Sequence, residues 1–205
     1  MIKAKSSYFV SHTSLNTSHN EAPVAILMAT LDGELYLSEQ LDSLENQEYK
    51  NWRLIVSDDG STDRTLEILQ ARQMNWGADK LDIKVGAAQG FAFNFMSLAV
   101  DPEIEADYFA FCDQDDYWLP EKLSKAIQTL QTQALPSKPN LYCGRTIYTD
   151  SQLNKIGMSP LFVHPRSFRN ALVQSIAGGN NMVFDTNYKK LLETVGLVDI
   201  VSYDW

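Results

Sequence analysis

The first two thirds of this chain alternate short apolar runs with amphipathic segments, and this alternation constrains the fold more than any other feature. The apolar runs have the length of buried strands and occur at 24–30, 52–56, 81–85 and 108–112. The segments that follow them have helical spacing, at 34–45, 66–69, 90–100 and 121–133. Ser61 or Thr62 is expected to cap the second helix, and Pro120 to open the fourth. Such repeats predict a parallel sheet with helices on both faces.

The last third of the chain has a different pattern. Residues 141–149 are rich in Tyr, Ile and Thr and predict one strand, and 153–166 predict a long loop or hairpin. The glycines at 178–179 indicate a tight turn into a strand at 182–184, and a helix is expected at 186–194. The polar residues 1–21 predict a flexible N-terminal arm, and 22–205 fit one domain.

Composition narrows the class of function. The net charge of −9, without a basic cluster, argues against a nucleic-acid partner. No apolar run approaches the ~20 residues that cross a bilayer. The two cysteines, Cys112 and Cys143, lie in predicted strands, so we expect buried free thiols and a reducing compartment.

Acidic residues follow three of the predicted strands. The loops at 30–33, 57–61 and 113–116 all lie at carboxyl ends of strands, where sheets of this kind bind ligands. Asp113, Asp115 and Asp116 place three carboxylates in four residues. A hard divalent cation that also receives a diphosphate would offset their repulsion. The alternative is a solvated acidic turn before a helix.

The order of these motifs resembles the family 2 glycosyltransferases, which have the GT-A fold. The matching segments are 24–30, 57–63, 89–94, 111–116, 178–181 and 204–205. The closing Tyr203-Asp204-Trp205 is similar to a segment of rhamnosyltransferase-like bacterial members. The resemblance implies an α/β domain with a mostly parallel central sheet and helices on both faces. Because members of that family continue beyond this acid, we expect the chain to lack its C-terminal part.

The resemblance assigns Thr30 and Leu31 to the pocket for the nucleotide base. Either Asp58 or Asp59 would accept a hydrogen bond from the pyrimidine N3–H, since the imide is a donor between two acceptors. The alternative is that these two acids only shape a turn and cap the next helix.

Gly90 and Asn94 open the third helix, and the resemblance places them beside the nucleotide. Helix capping and packing would explain both residues equally well. Many family members carry a basic residue just before this segment, where this chain has Ala87 and Ala88. Lys84 could reach the phosphates instead.

The resemblance assigns Asp113 and Asp115 to Mn²⁺ or Mg²⁺, with Asp113 also close to the nucleotide. Asp116 would orient a ligand or contact the donor sugar. Asp204 matches the catalytic base, which takes a proton from the acceptor hydroxyl during inverting transfer. Trp205 could form an apolar wall for a sugar, although a frayed terminus would explain it as well.

Gly178, Gly179 and Asn180 would lie under the donor sugar or the acceptor, unless they only form a turn. His164, in a loop beside a proline, is given no role in the site.

The resemblance therefore implies a metal-dependent, inverting glycosyltransferase. Its donor would be a UDP- or dTDP-sugar, with dTDP-rhamnose as the suggested case. Its acceptor would be a cell-surface polysaccharide or a lipid-linked glycan, reached at the cytoplasmic face of the membrane through peripheral association. The alternatives are a sugar-nucleotide-binding module without turnover, or a nucleotidyltransferase. The second would need a basic loop after the first strand, whereas residues 30–34 are acidic.

Overall fold

The computed structural model describes residues 21–161, 178–197 and 202. Its strands are β1 Val24–Thr30, β2 Trp52–Asp58, β3 Leu81–Val85, β4 Tyr108–Cys112, β5 Leu141–Cys143, β6 Ile147–Thr149, β7 Lys155–Met158 and β8 Met182–Asp185. Its helices are α1 Leu37–Glu45, α2 Thr65–Trp76, α3 Phe91–Ala99, α4 Lys122–Gln133 and α5 Thr186–Val195. A 3₁₀ turn, Gly179–Asn181, precedes β8.

Six strands form the main sheet, in the order β3-β2-β1-β4-β8-β5. The first four are parallel, and β8 is antiparallel to both β4 and β5. β1 lies at the centre and is buried along its whole length. Its register sets Thr30 beside Asp58 and Met28 beside Cys112. The loops that follow β1, β2 and β4 therefore emerge at one edge.

Helices cover both faces of this sheet. Alternate residues of β1 point to opposite sides and all are buried, so both faces need a covering layer. On one face, Ile26 and Met28 pack in a core with α1, α2 and α4. On the other face, Leu27 packs with α3 and with a cluster of aromatic rings that includes Phe111 and Phe184. The predicted strand–helix repeats and the mostly parallel sheet are confirmed.

The strand predicted at 141–149 is wrong as a single element. It is divided between β5, which lies at the edge of the main sheet, and β6, which pairs with β7 in a separate hairpin. Cys112 is buried, whereas Cys143 in the edge strand β5 is partly exposed, and both are free thiols.

The predicted caps of the second helix are also wrong. The Ser61 hydroxyl donates to Asp58, and the Thr62 backbone N–H donates to Asp32. α2 therefore starts only at Thr65, whose N–H donates to the Asp63 carboxylate at 2.9 Å. Within the described residues, no helix combines the length and the apolarity that spanning a bilayer requires.

Candidate functional site

A cleft of about 300 Å³ lies at the carboxyl ends of the central strands. Its lining includes most of the residues predicted to bind a nucleotide or a metal, namely Thr30, Leu31, Asp59, Asn94, Asp113 and Asp115. Four chain segments that are far apart in sequence thus meet in one concave surface. The register of β1 with β2 and β4 brings three of them together.

Asp58 lies beside the cleft but is absent from its lining. The residue is 3% exposed, and its carboxylate accepts four hydrogen bonds. Two come from the hydroxyls of Thr30 and Ser61, at 2.8 and 2.6 Å. The other two come from the backbone N–H groups of Gly60 and Ser61, at 3.1 and 2.9 Å. These bonds account for Asp58 as the residue that shapes the turn after β2.

Asp59 lines the cleft and holds the loop between β3 and α3. Its two carboxylate oxygens accept from the backbone N–H groups of Ala88 and Gly90, at 2.8 and 3.1 Å. Sequence reasoning missed Gly86 in this loop. A Cβ atom there would lie 2.5 Å from Asp59 Oδ1 and 2.9 Å from the carbonyl oxygen of Asp58. The close approach of the loop to Asp59 therefore depends on this glycine.

Asn94 is buried on α3, and its Nδ2 donates to the carbonyl of Ser57 at 2.8 Å. Its Oδ1 has no hydrogen-bond partner among the described residues. Gly90 immediately precedes the helix with φ +90, a conformation that favours glycine. Asn94 thus ties α3 to the end of β2, while the exposed ring of Phe91 lines the cleft.

Lys84 forms an ion pair with Asp101, at 2.7 Å, and does not line the cleft. No lysine or arginine is among the described residues that line it. The cleft therefore contains three carboxylates, those of Asp59, Asp113 and Asp115, without a neighbouring basic side chain in its lining.

The acidic turn after β4 has two parts. Asp113 and Asp115 line the cleft, and Asp115 is exposed. Asp116 is not part of the lining, and its carboxylate accepts a hydrogen bond from Asn180 Nδ2 at 2.7 Å. Burial raises the pKa of the Asp116 carboxyl, and its bond from Asn180 opposes that rise. Asp116 is thus tied to the 178–181 segment, in which Gly179 is buried and Gly178 exposed.

Lys122, at the start of α4, contacts the 178–181 segment, and the sequence did not reveal this contact. Its Nζ donates to the carbonyl of Asn180 at 2.5 Å and lies 3.7 Å from the ring centre of Trp118. Burial lowers the pKa of Lys122 to about 8, and Asp116 and Asp113 oppose that effect. The only sequence signal is its place in the first turn after Pro120, next to the acidic loop.

The donor set at the cleft suits a hard divalent ion. Among the described residues, no three His, Cys, Asp or Glu side chains form a group that could hold a metal alone. Mg²⁺ and Mn²⁺ do not need such a group, because one or two carboxylates plus substrate phosphates and water complete their shell. Asp113 and Asp115 supply oxygen ligands of this kind.

Four residues named in the sequence analysis lie outside the described residues. They are Asp204 and Trp205, predicted as base and sugar wall, their neighbour Tyr203, and His164. The predicted arm at 1–21 also lies outside, except for its last residue.

The sequence model of the family "Glycosyl transferase family 2" matches residues 25–187. The dTDP-rhamnosyl transferase RfbG of Shigella flexneri is 37% identical over 105 residues, which cover 50% of this chain and 36% of RfbG. A GalNAc(5)-diNAcBac-PP-undecaprenol beta-1,3-glucosyltransferase of Campylobacter jejuni is 26% identical over 132 residues, which cover 64% of this chain and 41% of that enzyme. The matched part of the chain therefore spans less than half the length of these relatives.

Solved structures that share the fold include the following two. The mannosyltransferase PcManGT from Pyrobaculum calidifontis, in complex with GDP-Man and Mn²⁺, has a TM-score of 0.61 at 20% identity, covering 89% of this chain and 50% of that one. S. aureus TarS 1-349 has a TM-score of 0.60 at 17% identity, with coverages of 89% and 52%. At such identities the structural similarity shows the fold alone. Together with the family match, it confirms the predicted GT-A fold.

Proposed function

Because this chain belongs to glycosyltransferase family 2, we propose that its cleft binds a nucleotide-diphospho-sugar and transfers the sugar to a glycan. The donor is a UDP- or dTDP-sugar, and similarity to a dTDP-rhamnosyl transferase favours dTDP-rhamnose. The acceptor is a cell-surface polysaccharide or a lipid-linked glycan, reached by peripheral association with the cytoplasmic face of the membrane. The observation that carries the proposal is the meeting of Leu31, Asp59 and the acidic turn in one cleft.

Asp59 is the better candidate of the two neighbouring acids for the base. Each of its oxygens accepts one backbone hydrogen bond, which leaves a further acceptor position for a pyrimidine N3–H. The exposed side chains of Leu31 and Phe91 flank the same cleft and offer apolar surface to the ring. Asp58 already accepts four hydrogen bonds in the turn.

The charge of the cleft supports metal dependence. A diphosphate entering a cleft with three carboxylates and no basic side chain in its described lining would be repelled. Asp113 and Asp115 would hold the Mn²⁺ or Mg²⁺ that removes this repulsion. When bound, the ion supplies Lewis-acid stabilisation of the departing nucleoside diphosphate. The Mn²⁺ of the PcManGT complex is in keeping with this proposal.

Transfer with inversion needs one base and no covalent intermediate. We assign the base to Asp204, whose carboxylate would take the acceptor hydroxyl proton as that oxygen attacks the sugar. Trp205 would border the sugar. The donor sugar would contact a surface formed by Asp116, Asn180 and the glycines at 178–179. Asn180 donates a hydrogen bond to Asp116 at 2.7 Å, which holds these residues together.

Isothermal titration of the protein with UDP, dTDP and GDP, each with and without MnCl₂, tests the donor site. We expect UDP or dTDP to bind only weakly without Mn²⁺. Asp115→Ala should weaken the Mn²⁺-dependent binding about a hundredfold, equal to about 2.7 kcal/mol. Glu39→Gln, which removes one negative charge from the exposed face of α1, is the matched control and should bind as wild type.

Turnover is tested separately by transfer or hydrolysis of the sugar nucleotide. Asp204→Asn should keep donor binding and lose transfer if Asp204 is the base. A wild-type protein that binds the donor with Mn²⁺ but releases no nucleoside diphosphate would favour a binding module. Strong nucleotide binding that ignores Mn²⁺ would contradict the metal-dependent proposal.

A further inference from the structure

Gln114 stands between Asp113 and Asp115 and joins two parts of the cleft. Its Oε1 accepts the backbone N–H of Leu31 at 3.0 Å. Its Nε2 donates to the backbone carbonyl of the same residue, also at 3.0 Å. One amide side chain thus bonds both polar groups of Leu31, as a neighbouring strand would. It connects positions 83 residues apart.

The amide is confined by a glycine. A Cβ atom on Gly33 would lie 2.5 Å from Gln114 Oε1 and 2.8 Å from its Cδ. The backbone of Gly33 cannot easily retreat, since its N–H donates to Thr65 Oγ1 at 2.7 Å and its carbonyl accepts from Leu37 at 3.0 Å. Gly33 thus leaves the room that the Gln114 amide occupies.

We propose that Gln114 is a positioning residue that couples base binding to metal binding. Leu31 lies on the side of the cleft that we assign to the base, and Asp113 and Asp115 lie on the side that we assign to the ion, so the inference rests on the proposed function. Because one rigid amide holds both sides in register, ordering one side by its ligand also orders the other. Mn²⁺ and nucleotide therefore each raise the affinity for the other.

The chemistry of the side chain accounts for glutamine at this position. Glutamate would keep the acceptor for the Leu31 N–H but lose the donor for its carbonyl, and it would add another negative charge between Asp113 and Asp115. Asparagine is one methylene shorter and would not reach both groups. Methionine has a similar length and shape and offers neither hydrogen bond.

The coupling is measured as the ratio of UDP dissociation constants without and with saturating MnCl₂, from isothermal titration. Gln114→Met should lower this ratio about tenfold, equal to about 1.4 kcal/mol. The melting temperature without ligand should stay close to that of Gln128→Ala, a glutamine change on the exposed face of α4. A purely structural role would move the melting temperature and leave the ratio intact.

A double-mutant cycle makes the test specific. Gly33→Ala should displace the Gln114 amide and reproduce the tenfold loss, yet cause no further loss in the Gln114→Ala background. Equal ratios in wild type and Gln114→Met, or independent losses from Gly33→Ala and Gln114→Ala, would overturn the inference alone. Wild-type protein whose UDP binding ignores Mn²⁺ would overturn it together with the metal-dependent part of the proposed function.

Discussion

Replacing Asp58 with alanine should destabilise the domain, and the structure explains why. Asp58 is 3% exposed, and the substitution removes a carboxylate that accepts hydrogen bonds from Thr30, Gly60 and Ser61. The Thr30 hydroxyl, in a residue only 2% exposed, would lose its acceptor at the end of the central strand. Water can replace the bonds to Gly60 and Ser61 more easily, because the turn is partly exposed.

The magnitude follows from these two classes of bond. An unsatisfied buried hydroxyl costs about 1–3 kcal/mol, and a bond to a charged acceptor contributes about 1.5–3 kcal/mol. After allowance for water in the turn, we expect Asp58→Ala to lower the free energy of unfolding by about 3 kcal/mol. For a domain of this size that corresponds to a melting temperature lower by about 6–12 °C.

Urea unfolding followed by tryptophan fluorescence measures the change, with two comparison variants. Asp58→Asn keeps an oxygen that accepts from the backbone N–H groups, and its amide NH2 can donate to the two hydroxyl oxygens, so it should cost about 1 kcal/mol. Asp59→Ala loses only bonds to the exposed Ala88 and Gly90 N–H groups, and should cost about 1 kcal/mol or less. Asp59→Ala should nevertheless lose UDP binding.

The reasoning would be refuted if Asp58→Ala unfolded within about 1 kcal/mol of wild type, since the buried Thr30 hydroxyl alone should exceed that. It would also be refuted if folded Asp58→Ala lost more UDP affinity than Asp59→Ala. That second result would move the base contact from Asp59 to Asp58.

Three further changes test the fold and the loop. Phe184→Ala, at a fully buried ring of the aromatic cluster, should cost about 3–5 kcal/mol in urea unfolding. Burial, assisted by Lys50, lowers the pKa of Lys80 to about 8, so above that pH the unfolded chain binds more protons than the folded protein. The stability of the wild type should therefore rise relative to that of Lys80→Met between pH 8 and 10. Melting temperatures of the two proteins measure this change. Gly86→Ala should displace the loop held by Asp59 and lower UDP affinity at least about tenfold by calorimetry, equal to about 1.4 kcal/mol.

Much of the framework could be read from local pattern. The run at 24–30 is stable only if buried on both sides, and the structure buries all of β1. Acids that follow parallel strands must meet at one edge, which brought Asp59, Asp113 and Asp115 together as predicted. These features depend on residues close in sequence and on the period of a strand, so the sequence alone determined them.

Tertiary structure decided which groups face the cleft and which hold it in shape. Asp58 and Asp59 are adjacent and chemically identical, and only the pairing of β1 with β2 turns the first toward Thr30 and leaves the second at the cleft. The bonds of Gln114 to Leu31 and of Lys122 to Asn180 join residues 83 and 58 positions apart. Local propensity contains no information on such pairs, because register and packing between distant segments bring them within hydrogen-bonding distance.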